Sequence, residues 1–272
     1  MTNNRPRPHI HSIFNRSIRE ERRSIVAWTI GLVAFCLVML AMYPTVRGNA
    51  SFAKLIDAYP EPLKKLFNLS DYTTGPGYLR TEVFSFMAPL LIAIFAILLG
   101  SDLIAGEEER RTIDLLLANP VSRHRVVMQK WLSLVTGTAI LSLVLALMLG
   151  LTGPLFKLHI GWVPLSAEVL GTGLFALAAG TLALTVGAAT GSRGAARGIS
   201  TTVAVAMYLI STLSEIVTWL KPTRPASLWY HALGGDPLAE GFRYTHLSVV
   251  VVTISALMIA ALLVFDRRDL AT

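Results

Sequence analysis

Six long runs of this chain are too apolar to be parts of ordinary soluble elements. They cover about residues 24–46, 81–105, 130–153, 167–191, 198–220 and 246–265. Each reaches or exceeds the roughly 20 residues that a helix needs to cross a bilayer. Inside a bilayer the backbone must satisfy its own hydrogen bonds, which leaves helices or a closed barrel. Barrel strands alternate apolar and polar residues, and these runs are apolar on all faces. The fold expected is all-α: a polytopic membrane protein of six transmembrane helices. Composition agrees, with 53% hydrophobic and 15% charged residues, against about 45–50% and 25% in soluble domains. The first run follows a polar segment and lacks a small-residue cleavage site, so it reads as a span and not as a signal peptide. It holds the only cysteine, Cys36, which leaves no intrachain disulfide and no multi-cysteine metal site.

Basic residues orient the spans. One side carries Arg5, Arg7, Arg16, Arg19, Arg22, Arg23, then Arg110, Arg111, Arg123, Arg125 and Lys130, then Arg193, Arg197, Arg267 and Arg268. These are fifteen of the 24 lysines and arginines, and the other nine are spread over longer connections. The positive-inside rule makes the richer side cytoplasmic, with both termini on it. The net charge of +7 is therefore largely topological, and nucleic acid is not an expected partner.

The segments between spans carry patterns of their own. Residues 1–23 form a cytoplasmic amphipathic segment, in which Ile10, Phe14 and Ile18 share one helical face among arginines and glutamates; such a helix suits a membrane surface. The transmembrane domain is 24–272. Its outer loop, 47–80, repeats apolar residues at helical spacing in SFAKLIDAY and EPLKKLFNL, which predicts two short helices. Thr74-Gly75-Pro76-Gly77 reads as a turn before span two.

The connection from Gly106 to Lys130 is the most informative. Glu107, Glu108 and Glu109 with Arg110 and Arg111 form a charged exit from the membrane. Thr112 can cap a short helix, Pro120 ends it, and Ser122 can cap the helix that follows. The helix between, Ile113 to Ala118, exposes Leu115, Leu116 and Leu117. Exposed leucines call for a partner, either a docked soluble protein or the underside of the chain's own bundle.

This segment resembles the permease subunits of type-2 ATP-binding-cassette exporters. The matching residues are Glu107, Glu108, Thr112, Leu115, Leu116, Leu117, Pro120, Val121, Ser122 and Arg123, with Lys130 at the basic position that opens span three. Arg111 stands where glycine is usual in that family. The resemblance continues through the surface helix, YPEPLKKLF, the six spans and the closing FDRRDL. It implies that residues 112–119 are a coupling helix that seats on a cytoplasmic ATPase. Glu107, Glu108, Thr112, Ile113, Leu115, Leu116, Leu117, Pro120, Ser122 and Arg123 would then form the ATPase-coupling site. It also implies two permease chains working with two ATPase chains in a bacterial-type cell membrane. This chain would bind no cofactor, because ATP and magnesium would be used by the partner.

Charges within spans are costly and read as functional by default. Glu215 in span five is expected to face the pathway or to pair with a basic group. Asp102 is expected to lock span two to the coupling segment. Spans three and four are rich in small residues, including Gly171, Gly173, Gly180 and Gly187, which permit close helix approach or sliding.

Enzymatic signatures are missing. There is no G-x-x-x-x-G-K-[ST] loop for phosphates and no H-E-x-x-H zinc motif. Thr112 and Ile113 occupy the positions where a glutamate-rich intramembrane protease would need arginine. The expected protein is a non-catalytic permease of an ATP-driven exporter. The alternatives are a membrane scaffold of the same fold, a membrane enzyme or a secondary carrier.

Overall fold

A computed structural model describes residues 11–69, 71–110 and 122–268. Among these residues there is no strand, and six helical stretches are long and apolar enough to cross a membrane: Phe14–Val46, Gly75–Glu109, Arg123–Phe156, Trp162–Thr190, Arg193–Leu213 and Tyr244–Arg267. These are spans one to six.

Spans two and four are the core. In each, 61% of the most apolar stretch is buried, against 17% to 33% in the other four. Their packing is backbone to backbone. A Cβ placed on Gly100 would lie 2.1 Å from the Gly180 carbonyl oxygen, and one on Gly180 would lie 2.7 Å from that of Ala96. Only glycine allows this approach, and it lets the two helices gain close dispersion contact where lipid offers no hydrophobic drive. Around the contact, Ile92, Phe95 and Ala96 of span two and Ala176 and Leu184 of span four are buried.

Span one belongs to helix α1, His11–Val46. At 1.5 Å per residue it is about 54 Å long, well over the roughly 30 Å hydrocarbon thickness. The described part of the amphipathic segment, from His11, and the first span are one continuous helix, because no proline or glycine lies between Phe14 and Trp28 to end the ladder; Ile10 lies outside the described residues.

The outer connection holds helices α2, Ala50–Asp57, and α3, Glu61–Leu66. Asn49 caps α2 by accepting from the Ser51 N–H. The Thr74-Gly75-Pro76-Gly77 sequence is a helix start and not a free turn: Thr74 accepts from the Gly77 N–H and Pro76 stands in the first turn, where its missing donor costs nothing. Span two then runs through α4, Gly75–Leu79, a π-helical segment, Arg80–Phe84, α5, Met87–Ser101, a second π segment, Asp102–Gly106, and α6, Glu107–Glu109. Each π segment adds a residue per turn and re-aims the side chains beyond it.

Span three is α7, Arg123–Thr152, extended by a 3-10 turn, and span four is α8, Trp162–Thr190. Span five, α9, is Arg193–Leu213. It begins five residues earlier and ends seven earlier than 198–220. Ser214 turns back to the Ser211 carbonyl, and the chain continues as a 3-10 segment, Thr218–Ala226, that contains Pro222 and Pro225. Helices α10, Leu228–Leu233, and α11, Pro237–Glu240, then fold back against α8, burying Trp229, Ala232 and Leu238. Span six is α12, Tyr244–Arg267.

Candidate functional site

The ends of five spans meet in a collar of ion pairs at the end of the bundle where α12 finishes. Asp102 sits in the second π segment. Its two oxygens accept from Arg193 at 3.0 Å and Arg110 at 3.3 Å. Glu107 is 5% exposed and Lys130 is 3% exposed, and the lysine Nζ donates to the glutamate Oε1. Glu108 and Arg268 form a two-pronged pair at 2.9 and 2.7 Å. Glu109 accepts from both the backbone N–H of Arg193 at 2.8 Å and its side-chain Nε at 2.5 Å. A carboxylate at the first turn of α9 also complements the helix dipole. Arg197 reaches back to Ser101 Oγ at 3.0 Å.

The collar also holds the C-terminal end of span six. Arg123 donates to the carbonyls of Phe265 at 3.2 Å and Arg268 at 2.7 Å, oxygens that the helix end leaves without intrahelical donors. Its guanidinium lies 6.0 Å from the centre of the Phe265 ring. Gly191 closes span four with φ of +66°, and a Cβ there would fall 2.5 Å from Arg268 and 2.6 Å from Glu108. The left-handed turn and the ion pair thus require the same glycine. From α1, Arg16 lies within electrostatic reach of Glu107, and Glu21 within reach of Asp102, Arg110 and Lys130.

The structure therefore brings Asp102, Glu107, Glu108 and Arg123 to one end of the bundle, each with its own charged or carbonyl partners. Ser122 is the residue before α7, in extended conformation, but its side chain makes no capping hydrogen bond. Arg111, Thr112, Ile113, Leu115, Leu116, Leu117 and Pro120 lie outside the described residues. On the two sides of residues 111–121, Arg110 is tied to Asp102 and Arg123 to the end of span six.

Three residues of the collar escape sequence reasoning in this role: Arg193, Arg197 and Arg268, which count there only toward orientation. Glu109 and Arg110 read in the sequence as part of the charged exit, without their partners. The available signal is the acidic run itself, since carboxylates at a membrane exit need cations and the nearest lie at the other span ends on that side.

Glu215 is not within a span. It follows the end of α9 and accepts from Arg224 at 2.8 Å, at the opposite end of the bundle. There Tyr72 donates to Glu82 at 2.6 Å; burial, then this hydrogen bond, pushes the Tyr72 phenol well above its ordinary range. Among the described residues no group of three His, Cys, Asp or Glu side chains is placed to hold a metal ion.

Six membrane-length helices, five of them joined at one end by a collar of ion pairs, describe a multi-pass membrane protein. Its family follows from the sequence: the profile described as ABC-2 family transporter protein matches residues 11–270, nearly the whole chain, and the chain belongs to that family. No curated protein matches it significantly.

Proposed function

We propose that this chain is the membrane half of an ATP-driven exporter, in which residues 112–119 are the coupling helix and a separate cytoplasmic ATPase supplies the energy. The observation that carries the reading is the collar. It ties the exit of span two, the entry of span three, the turn between spans four and five, and the end of span six around the two ends of residues 111–121. A push on that segment at Arg110 or Arg123 would be passed to five spans through charge-assisted hydrogen bonds, which are stronger and more directional than neutral ones.

The excess of basic residues at the collar end supports a cytoplasmic location for it. Both termini lie there, in a cell membrane. The unit is two permease chains with two ATPase chains, the pathway lies between the permeases, and ATP and magnesium are used by the partner. Export as the direction rests on the resemblance of Glu107, Glu108, Thr112, Leu115, Leu116, Leu117, Pro120, Ser122 and Arg123 to the exporter pattern.

The test is co-purification with the partner ATPase. The wild-type chain retains the ATPase through detergent extraction, and a chain with Leu115→Asp and Leu116→Asp loses it while keeping its own folded yield. Retention of the ATPase by that variant would contradict the coupling assignment.

A further inference from the structure

Two glutamates of this chain are more than nine-tenths buried, Glu107 and Glu168, and they are served differently. Glu107 has Lys130 against it. Glu168 lies on α8, six residues from its start and so about 9 Å along it. Its carboxylate accepts from the backbone N–H of Leu238 and lies within electrostatic reach of Arg80, and among the described residues no cationic side chain stands at ion-pair distance from it. What Glu168 faces is a cavity of about 360 Å³, within the size range of small-molecule sites.

The cavity lies between spans two, four and five and the folded-back segment that carries α10 and α11. Its other charges are largely matched. Arg80 pairs with Asp236, and Arg224 pairs with Glu215. Asp236 Oδ1 is buried with no hydrogen-bond partner, as are the Nε atoms of Arg80 and Arg224. The guanidinium charges are engaged through their Nη atoms and Glu240 stands 4.0 Å from Arg243, so among the described residues the buried carboxylate left on the wall without an ion pair is that of Glu168. Aromatic surface completes the lining. Tyr208 and Trp229 meet edge to face at 4.8 Å, and Phe84 lines the same space.

A buried carboxylate without a counter-ion is costly, and a cation beside aromatic rings gains from their quadrupoles. We propose that this cavity binds an organic monocation, an ammonium group carrying a small apolar body, with Glu168 as its counter-ion and the Tyr208–Trp229 pair as its apolar wall. The site lies within one chain, away from the collar. The proposal holds whichever direction the protein moves its cargo and whether or not the coupling assignment stands.

The experiment is calorimetric titration of the full chain in lipid nanodiscs, without ATPase, using three probes of one shape class. These are benzyltrimethylammonium, its uncharged isostere neopentylbenzene, and benzoate. Saturable binding of the cation is expected, at least about tenfold tighter than either of the others. Glu168→Gln, checked for folding by its thermal transition, is expected to weaken the cation by at least about tenfold. If that variant fails to fold, the selectivity of the wild-type chain decides by itself. No saturable binding of the cation up to about 10 mM, equal binding of the neutral isostere, preference for benzoate, or unchanged affinity in folded Glu168→Gln would each overturn the proposal.

Discussion

The ammonium of Lys130 and the carboxylate of Glu107 form a hydrogen-bonded ion pair that is almost wholly buried, joining the exit of span two to the first turns of span three. The segment between these two residues contains the coupling helix of the proposal. Their pair therefore ties together the two helices between which that segment runs.

Breaking that pair from one side leaves a buried charge without its partner, which costs about 3–5 kcal/mol. Glu107→Ala and Lys130→Ala are each expected to lower the thermal unfolding midpoint of the purified chain. The double replacement Glu107→Leu with Lys130→Met is expected to recover most of the loss, because it removes both charges and keeps the volume. Thermal scans of the three variants check this, and a double variant less stable than either single one would contradict it.

The Gly100–Gly180 approach makes a second, independent claim on stability. Adding one methyl at Gly100 forces the core helices of spans two and four apart, with an expected cost of about 1–3 kcal/mol for overpacking. Gly31→Ala is the matched control, since a Cβ on Gly31 meets nothing within 4 Å. Unfolding midpoints of the two variants should separate clearly, with Gly31→Ala near the wild type.

Orientation is tested by a reporter fused after Asp57, the last residue of α2. The placement of the collar in the cytoplasm predicts that alkaline phosphatase joined there is active on the outer side. A fluorescent protein that matures at that junction in the cytoplasm would reverse the arrangement.

The architecture was legible in the sequence because lipid imposes one demand on every residue of a span. Six apolar runs suffice to give six membrane-length helices; several begin well before the expected bounds, and span five also ends seven residues short. There Ser211, Thr212 and Ser214 sit inside the apolar run, and the side chain of Ser214 bonds to the backbone and turns it at Leu213. The collar was half legible. Its acidic residues stand together in the chain, whereas Arg193 and Arg268 come from 84 and 160 residues away, and nothing local marks them as their partners. Glu168 passes unremarked for a related reason: it stands at the edge of an apolar run, where a charge reads as a span end. Only the fold-back of α10 and α11 buries it, and no hydropathy pattern announces a segment that returns to pack on a span.

The central claim is that residues 112–119 are held by the collar for an ATPase to grip. Photo-crosslinking from position 116 measures it most directly, with a benzophenone amino acid in place of Leu116 in cells that contain the partner ATPase. The account predicts an adduct between this chain and the ATPase subunit, absent when the same probe replaces Phe52 of α2. Adducts from position 116 confined to the chain's own spans would contradict it, showing the helix folded beneath its own bundle.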